Sequence, residues 1–254
     1  MLYPEVRTLY KYYPPKENRI ETILKGNLYF SDPRKFNDPF DSKLKIVENS
    51  NPLYYMKIFI EENEIDIGKN TVEDVMKMMS DGKGELKKSI LEKYRRTVKF
   101  FSKLMDKYGV VSFTTDPANT LMWAHYTVNY TGFCVGYKRD GILSSDAFCF
   151  PVAYSRYYPS IQLYDFLQNR NIMNYRFGTK NLEWAYENEW RLVGQRTGIE
   201  SGYSMEISEI IFGLNTRSEI IERLKKIRNS EMNIIFRKIV QSKSEYKFDL
   251  KKVE

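Results

Sequence analysis

Residues Leu9–Pro33, LYKYYPPKENRIETILKGNLYFSDP, decide the fold class. Leu9-Tyr10-Lys11-Tyr12 belongs to an aromatic, loosely alternating run that begins at Tyr3 and stops at Pro14-Pro15, the pattern of a strand. Asn18–Gly26 sets Ile20, Ile23 and Leu24 on one side and closes on Gly26, a short amphipathic helix with a C-cap glycine. Leu28–Ser31 is a second strand, ended by Asp32-Pro33. The opening unit is strand, helix, strand.

Further along, strand signals recur at Val110–Phe113, Gly132–Tyr137, Phe148–Tyr154, Glu189–Val193, Ser208–Phe212, Asn233–Val240 and Tyr246–Leu250. Helices are predicted over Pro117–Tyr126, Ser160–Tyr175 and Thr216–Asn229, the last with Thr216 and Glu219 as a capping box. The stretch between Asn51 and Lys107 differs in character. Leu53–Glu64, Val72–Met79 and Glu85–Lys107 are helical, and acids dominate Glu48–Asp81 whereas bases dominate Lys83–Lys107. The expectation is one α+β domain over 1–254, a mixed sheet core with a helical insertion at 52–108.

Composition narrows the function classes. The chain has 254 residues, 42% hydrophobic and 29% charged, with a net charge of +7. That is ordinary for a globular protein long enough to bury a full core. Cys134 and Cys149 each sit in an apolar run, which excludes a disulfide framework and suits a reducing, cytoplasmic setting. His125 is the single histidine and no CxxC occurs, so no metal site is expected. The first residues, Met1–Glu5, do not read as a signal peptide, and no apolar run is long enough for a membrane span. There is no GxxxxGK[ST], no GxGxxG after a strand and no GxSxG. Aromatics make up 15% of the chain, and Tyr and Trp suit pocket walls and base-stacking platforms.

Four patches can carry chemistry. Phe36-Asn37-Asp38-Pro39-Phe40-Asp41 is turn chemistry that puts Asn37 or Asp38 at a pocket rim. Leu121-Met122-Trp123-Ala124-His125-Tyr126 gathers aromatics around the one side-chain type whose ordinary pKa lies near neutrality. Trp184-Ala185-Tyr186-Glu187-Asn188-Glu189-Trp190-Arg191 carries two carboxylates two residues apart, which point the same way if the segment is a strand. Leu9-Tyr10-Lys11-Tyr12 flanks a lysine with tyrosines. Each has a plain structural reading beside the functional one: a rigid turn, a core histidine, a polar strand face and a snorkelling edge lysine.

In this order the motifs resemble the bacterial domain-of-unknown-function family 2971. More weakly, the order of elements is similar to that of ADP-ribosyltransferases, particularly those modifying nucleic acids. The second resemblance implies NAD as the cofactor, an ADP-ribosyltransferase-like sheet and a toxin or phage-defence setting. It implies catalytic roles for Glu189, Glu187 and His125, with Glu189 entering a late strand. Lys11 stands where a first-strand residue, often His or Arg, contacts NAD; Tyr10, Trp123, Tyr126, Asn37 and Asp38 complete the binding set. A carboxylate on the ribose 2′-OH would stabilise an oxocarbenium-like transition state, as in glycoside cleavage. A nucleic-acid partner is expected along the basic face of helix 85–107. The competing readings are a metal-dependent nuclease using Asp38, Asp41, Glu187 and Glu189 beside Arg191, and a non-enzymatic interaction or immunity protein with an aromatic interface.

Overall fold

The alternation that starts in Leu9–Tyr13 is realised in a computed structural model describing residues 5–143, 148–168, 172–200, 206–227 and 233–253. Its elements are β1 (Thr8–Tyr13), α1 (Glu17–Leu24), β2 (Leu28–Phe30), β3 (Lys45–Val47), α2 (Met56–Glu62), α3 (Val72–Met79) and α4 (Lys88–Met105). There follow β4 (Gly109–Thr114), α5 (Thr120–Tyr126), β5 (Phe133–Lys138), α6 (Arg139–Leu143), β6 (Phe148–Pro151), β7 (Ala153–Ser155) and β8 (Ser160–Gln162). The remainder is α7 (Leu163–Gln168), α8 (Ile172–Phe177), β9 (Thr179–Asn181), β10 (Glu189–Gly194), β11 (Gly198–Glu200), β12 (Ile207–Phe212), α9 (Ser218–Lys225), β13 (Ile235–Gln241) and β14 (Phe248–Lys252). An eight-stranded mixed sheet runs β14-β13-β12-β5-β1-β4-β10-β6. Only β12 and β13 pair in parallel there, with α9 as their crossover. The class is α+β.

Pleat alternation gives the sheet two covered faces. On one, Leu9, Tyr13, Val135, Ile210 and Phe212 pack with Ile20 and Ile23 of α1 and with Ile220 and Leu224 of α9. On the other, Tyr12, Cys134, Ile211 and Ile239 pack with Met122 and Trp123 of α5. Each fully buried aliphatic or aromatic side chain contributes roughly 1.5–3 kcal/mol, so all three helices are held firmly.

The centre of the sheet is incomplete. β1 lies beside all of β5 but meets β4 at only one register position, Tyr10 with Thr114. Beyond it the two strands part, and the start of β4 pairs instead with Ser31, through Ser31 N–H to Val110 C=O at 2.8 Å and Val110 N–H to Ser31 C=O at 2.9 Å. A cleft opens in this gap.

The helices of the 52–108 segment have their own core of Tyr55, Ile58, Val75, Met79, Leu86 and Tyr94, closed by Leu163 of α7. Along α4 and its N-cap the expected basic face is engaged only in part: Lys88, Arg96, Lys99 and Lys103 form no ion pair with a described residue. Arg95 pairs with Glu48 and Glu92, Lys93 with Glu62, and Lys87 with the carbonyls of Lys77 and Met78. Phe101 is 48% exposed, because the apolar contacts of α4 are made by the stripe through Tyr94, Val98 and Met105. No helix among the described residues is long and apolar enough to cross a membrane.

Other departures have local causes. The predicted strand Phe148–Tyr154 breaks at Val152, whose N–H turns to Glu189 C=O at 2.9 Å, so β6 stays in the main sheet and β7 pairs with β9. The predicted helix Ser160–Tyr175 starts as a strand, since β8 finds a parallel partner in β3; positions 169–171 lie outside the described residues. Thr216 does not cap α9. Its hydroxyl donates to Gly132 C=O at 2.6 Å, and Arg217 takes the N-cap position without a side-chain bond. The end of the predicted helix, 228–229, and Tyr3-Pro4 also lie outside the described residues.

Gly132 is where these chains cross. A methyl there would lie 2.0 Å from Tyr13 C=O and 3.0 Å from Thr127 Cβ, the first far inside van der Waals contact with a backbone atom. Gly132→Ala is expected to lower unfolding free energy by about 1–3 kcal/mol in urea titration.

Candidate active site

The site is built from the head of β10. Register places Tyr10, Thr114 and Glu189 side by side, so Glu189 and Arg191 project to the face that carries α5. Arg191 is wholly buried, and every guanidinium donor is used. Its Nη1 and Nη2 grip Asp41 at 2.8 and 2.6 Å, Nε and Nη2 reach Glu189 at 2.8 and 3.1 Å, and Nη1 also donates to Phe177 C=O at 3.0 Å. Such two-pronged pairing uses the planar fork that lysine lacks.

Lys180 of β9 is the second cation. Its ammonium donates to Glu187 and, at 3.0 Å, to Glu189, and it stands 5.0 Å over the Trp184 ring. Glu187 accepts a further bond from Tyr126 OH at 2.5 Å. The two carboxylates meet by a different route from a straight strand. Glu187 ends a 3₁₀ turn, Leu182–Glu187, and Asn188 takes the left-handed conformation at φ 43° before β10 begins at Glu189. Asn tolerates that conformation better than most residues.

Three carboxylates thus face two cations. Burial raises the Glu189 carboxyl, but Arg191 and Lys180 outweigh it and hold the group at about 2. Burial raises Glu187, with Lys180 only partly opposing it and the neighbouring Glu189 charge adding to it. Glu189 is therefore the permanent anion of the pair, and Glu187 the member that takes a proton more readily.

The cleft between β1 and β4 opens directly onto these groups. It has a volume of about 420 Å³ and is walled by Lys11, Ser112, Asn37, His125, Tyr126 and the carboxylate pair, with Tyr10, Lys35 and Phe36 also facing it. Lys11 lies on the opposite pleat face from Glu189, with Leu9 and Tyr13, yet the missing β1–β4 pairing lets its amine reach through. Its Nζ donates to Ser112 C=O at 3.2 Å, and burial, reinforced by Arg19, lowers it to about 8. His125 is exposed at the rim, its Nδ1 3.3 Å from Tyr186 OH. Tyr10 lines the wall while its hydroxyl donates to Glu209 at 2.7 Å.

Two expected contacts are corrected. Trp123 is fully buried behind the cleft, edge-on to Tyr12 with Nε1 donating to Pro117 C=O at 2.9 Å, because its large ring fills the interface between α5 and the sheet. Asp38 does not line the cleft. Its Oδ1 caps the turn by accepting Phe40 N–H at 2.8 Å, and the side chain is buried. The nuclease quartet is accordingly not assembled, and no group of three or more His, Cys, Asp or Glu among the described residues is placed to hold a metal ion. Neither thiol suits nucleophilic work: burial pushes Cys149 up to about 12 and Cys134 well above its ordinary value.

Lys180 gave no signal in the sequence, since β9 is a three-residue strand next to a glycine. Arg191 did leave one: a guanidinium between Trp190 and Leu192 in an apolar strand needs buried carboxylates.

Residues 122–192 match the model described as protein of unknown function (DUF2971). The DUF2971 segment supplies His125, Tyr126, Lys180, Glu187, Glu189 and Arg191, whereas Lys11, Asn37 and Asp41 come from the chain before it. No curated protein and no solved structure matches the chain.

Two outcomes follow from the ion network. Arg191→Met leaves buried Asp41 without its bidentate partner and Glu189 with Lys180 alone, and should lower stability by about 3–5 kcal/mol at neutral pH, measured by urea unfolding. Because the Glu189 value in the folded chain, about 2, lies below its unfolded value, its contribution is complete above about pH 5 and is lost as pH falls toward 2. Melting curves across that range should flatten in Glu189→Gln, which also melts lower than wild type at neutral pH.

Proposed function

We propose that the cleft is the donor site of an NAD-dependent ADP-ribosyltransferase. The observation that carries this reading is the convergence, across the β1–β4 gap, of Lys11, the aromatic rim of α5 and a carboxylate pair of split acidity. NAD, when bound, supplies a ribosyl bond whose breakage gathers positive charge at the sugar. The residues fit that need. Lys11 and Lys35 offer cations to a pyrophosphate, and Tyr10, Phe36 and Tyr126 offer ring faces and edges. The cleft volume falls in the roughly 300–1,000 Å³ range of ligand sites.

Roles follow from electrostatics. Glu189, fixed by Arg191, keeps a full negative charge in a dry setting and stabilises the developing cation; one preorganised contact of this kind is worth about 2.7–4 kcal/mol. Glu187, its pKa raised by burial, has the greater basicity that a general base needs and takes the proton of an incoming acceptor hydroxyl or amine. Tyr126 and Lys180 orient it. His125, at the rim, positions the acceptor side. A reducing cytoplasm, rich in NAD, suits both the free thiols and the chemistry. A toxin or antiviral effector is the biological setting that such an activity favours.

The test combines thermal shift with turnover. NAD and ADP-ribose should raise the melting temperature, the stabilisation growing as the logarithm of ligand concentration, and Mg²⁺ should not. Glu187→Gln and Glu189→Gln should each cut NAD consumption by roughly 10²-fold or more, with NAD binding retained. Absence of any NAD-dependent shift, or unaltered consumption in both variants, would overturn the reading.

A further inference from the structure

The turn Asn37–Asp41 presents its residues to two sides. Asn37 and Asp41 face the cleft, whereas Phe40 points outward and is 57% exposed. Phe40 borders a second hollow of about 230 Å³, whose other walls are Lys43, residues 155–159 and residues 179–181. Tyr157 there is 84% exposed and Tyr158 50%, and the Tyr158 ring lies 6.0 Å from that of Phe40, tilted by 60°.

These rings are held out by fastened backbone. β7 pairs with β9 on one side of the loop, β8 pairs with β3 on the other, and Pro159 C=O accepts Lys45 N–H at 3.0 Å. Tyr157 N–H is bonded to Ser155 Oγ at 3.0 Å. Three large rings kept in water on so firm a base contribute little to the core. Lys43 and Arg156 are exposed beside them, neither forms an ion pair with a described residue, and no acid lines the hollow. Lys180 forms a wall common to the hollow and the cleft.

We propose that this hollow docks a single-stranded nucleic acid, with a base stacked on the Phe40–Tyr157–Tyr158 platform and phosphates against Lys43 and Arg156. Stacking on aromatic faces tolerates any base, and unpaired cations read phosphate without regard to sequence. A duplex keeps its bases inside and offers none to the rings. An acidic peptide would use the cations and leave all three rings in water. The hollow sets Lys43 and Arg156, neither in an ion pair with a described residue, directly beside three exposed rings. Strand docking stands by itself; that the docked strand is the acceptor rests on the NAD reading of the cleft, which Lys180 adjoins.

The experiment uses the full chain and fluorescein-labelled single strands of about 12 nucleotides, oligo-dT and oligo-U, with a duplex of equal length beside them. Fluorescence anisotropy is followed without NAD across a salt series. Single strands should bind more tightly than duplex, with affinity falling by about 0.7 in log–log slope per phosphate engaged. Tyr157→Ala should weaken binding about 10-fold, and Arg156→Glu should make the salt slope shallower. Both variants should melt as wild type and consume NAD as wild type does without acceptor. No binding of single strands, equal binding of duplex, or wild-type affinity in Tyr157→Ala would overturn the proposal. Because binding is read without NAD, a failure of the cleft reading shows separately, as absent NAD consumption beside intact strand binding.

Discussion

A single buried guanidinium ties the molecule's functional half together. Arg191 holds Asp41 from the early turn, Glu189 at the head of its own strand and the Phe177 carbonyl at the end of α8. Asp41 lies 150 residues from Arg191 in the chain and is brought to it by this charge pairing. A buried ion pair gains little net stability over apolar packing, whereas removing one partner costs several kcal/mol. Its effect here is placement: the turn, β9 and β10 can dock in only one way.

That placement acts together with a defect in the sheet. Had β1 and β4 paired along their full length, Lys11 would be sealed on the face opposite Glu189. Because pairing stops at Tyr10 and Thr114, the ladder leaves a gap, and Ser31 satisfies the freed end of β4. Side chains from both pleat faces then reach one cleft. An open ladder normally leaves backbone donors and acceptors unpaired, and here Ser31 and the Lys11 ammonium take up part of that demand.

The carboxylate pair shows how like groups are driven apart in acidity. Two cations among three acids hold Asp41 and Glu189 tightly and leave Glu187 with Lys180 and a tyrosine hydroxyl. The result is one carboxylate held charged and one that takes a proton more readily, two residues apart. The same turn that delivers Asp41 inward delivers Phe40 outward, so one proline-stiffened motif furnishes both the cleft and the aromatic hollow beside it.

What the sequence determined by itself was local. Period-two alternation in Leu9–Tyr13 and Phe133–Tyr137, the three- and four-residue steps of Ile20–Leu24, and the punctuation at Pro14-Pro15 and Gly26 specify element type, because each is decided by backbone geometry and by which side is apolar. The same patterning placed Lys11 and Glu189 on strands of the central sheet and Tyr126 on a helix packed against it. Tertiary structure decided the rest. Whether Trp123 lines a pocket or fills a core depends on what α5 packs against. Whether Thr216 caps its helix depends on Gly132 being near enough to accept its hydroxyl. That Asp41 faces Arg191 across 150 residues, and that β1 leaves β4 after one register position, are matters of long-range pairing, to which no local periodicity responds.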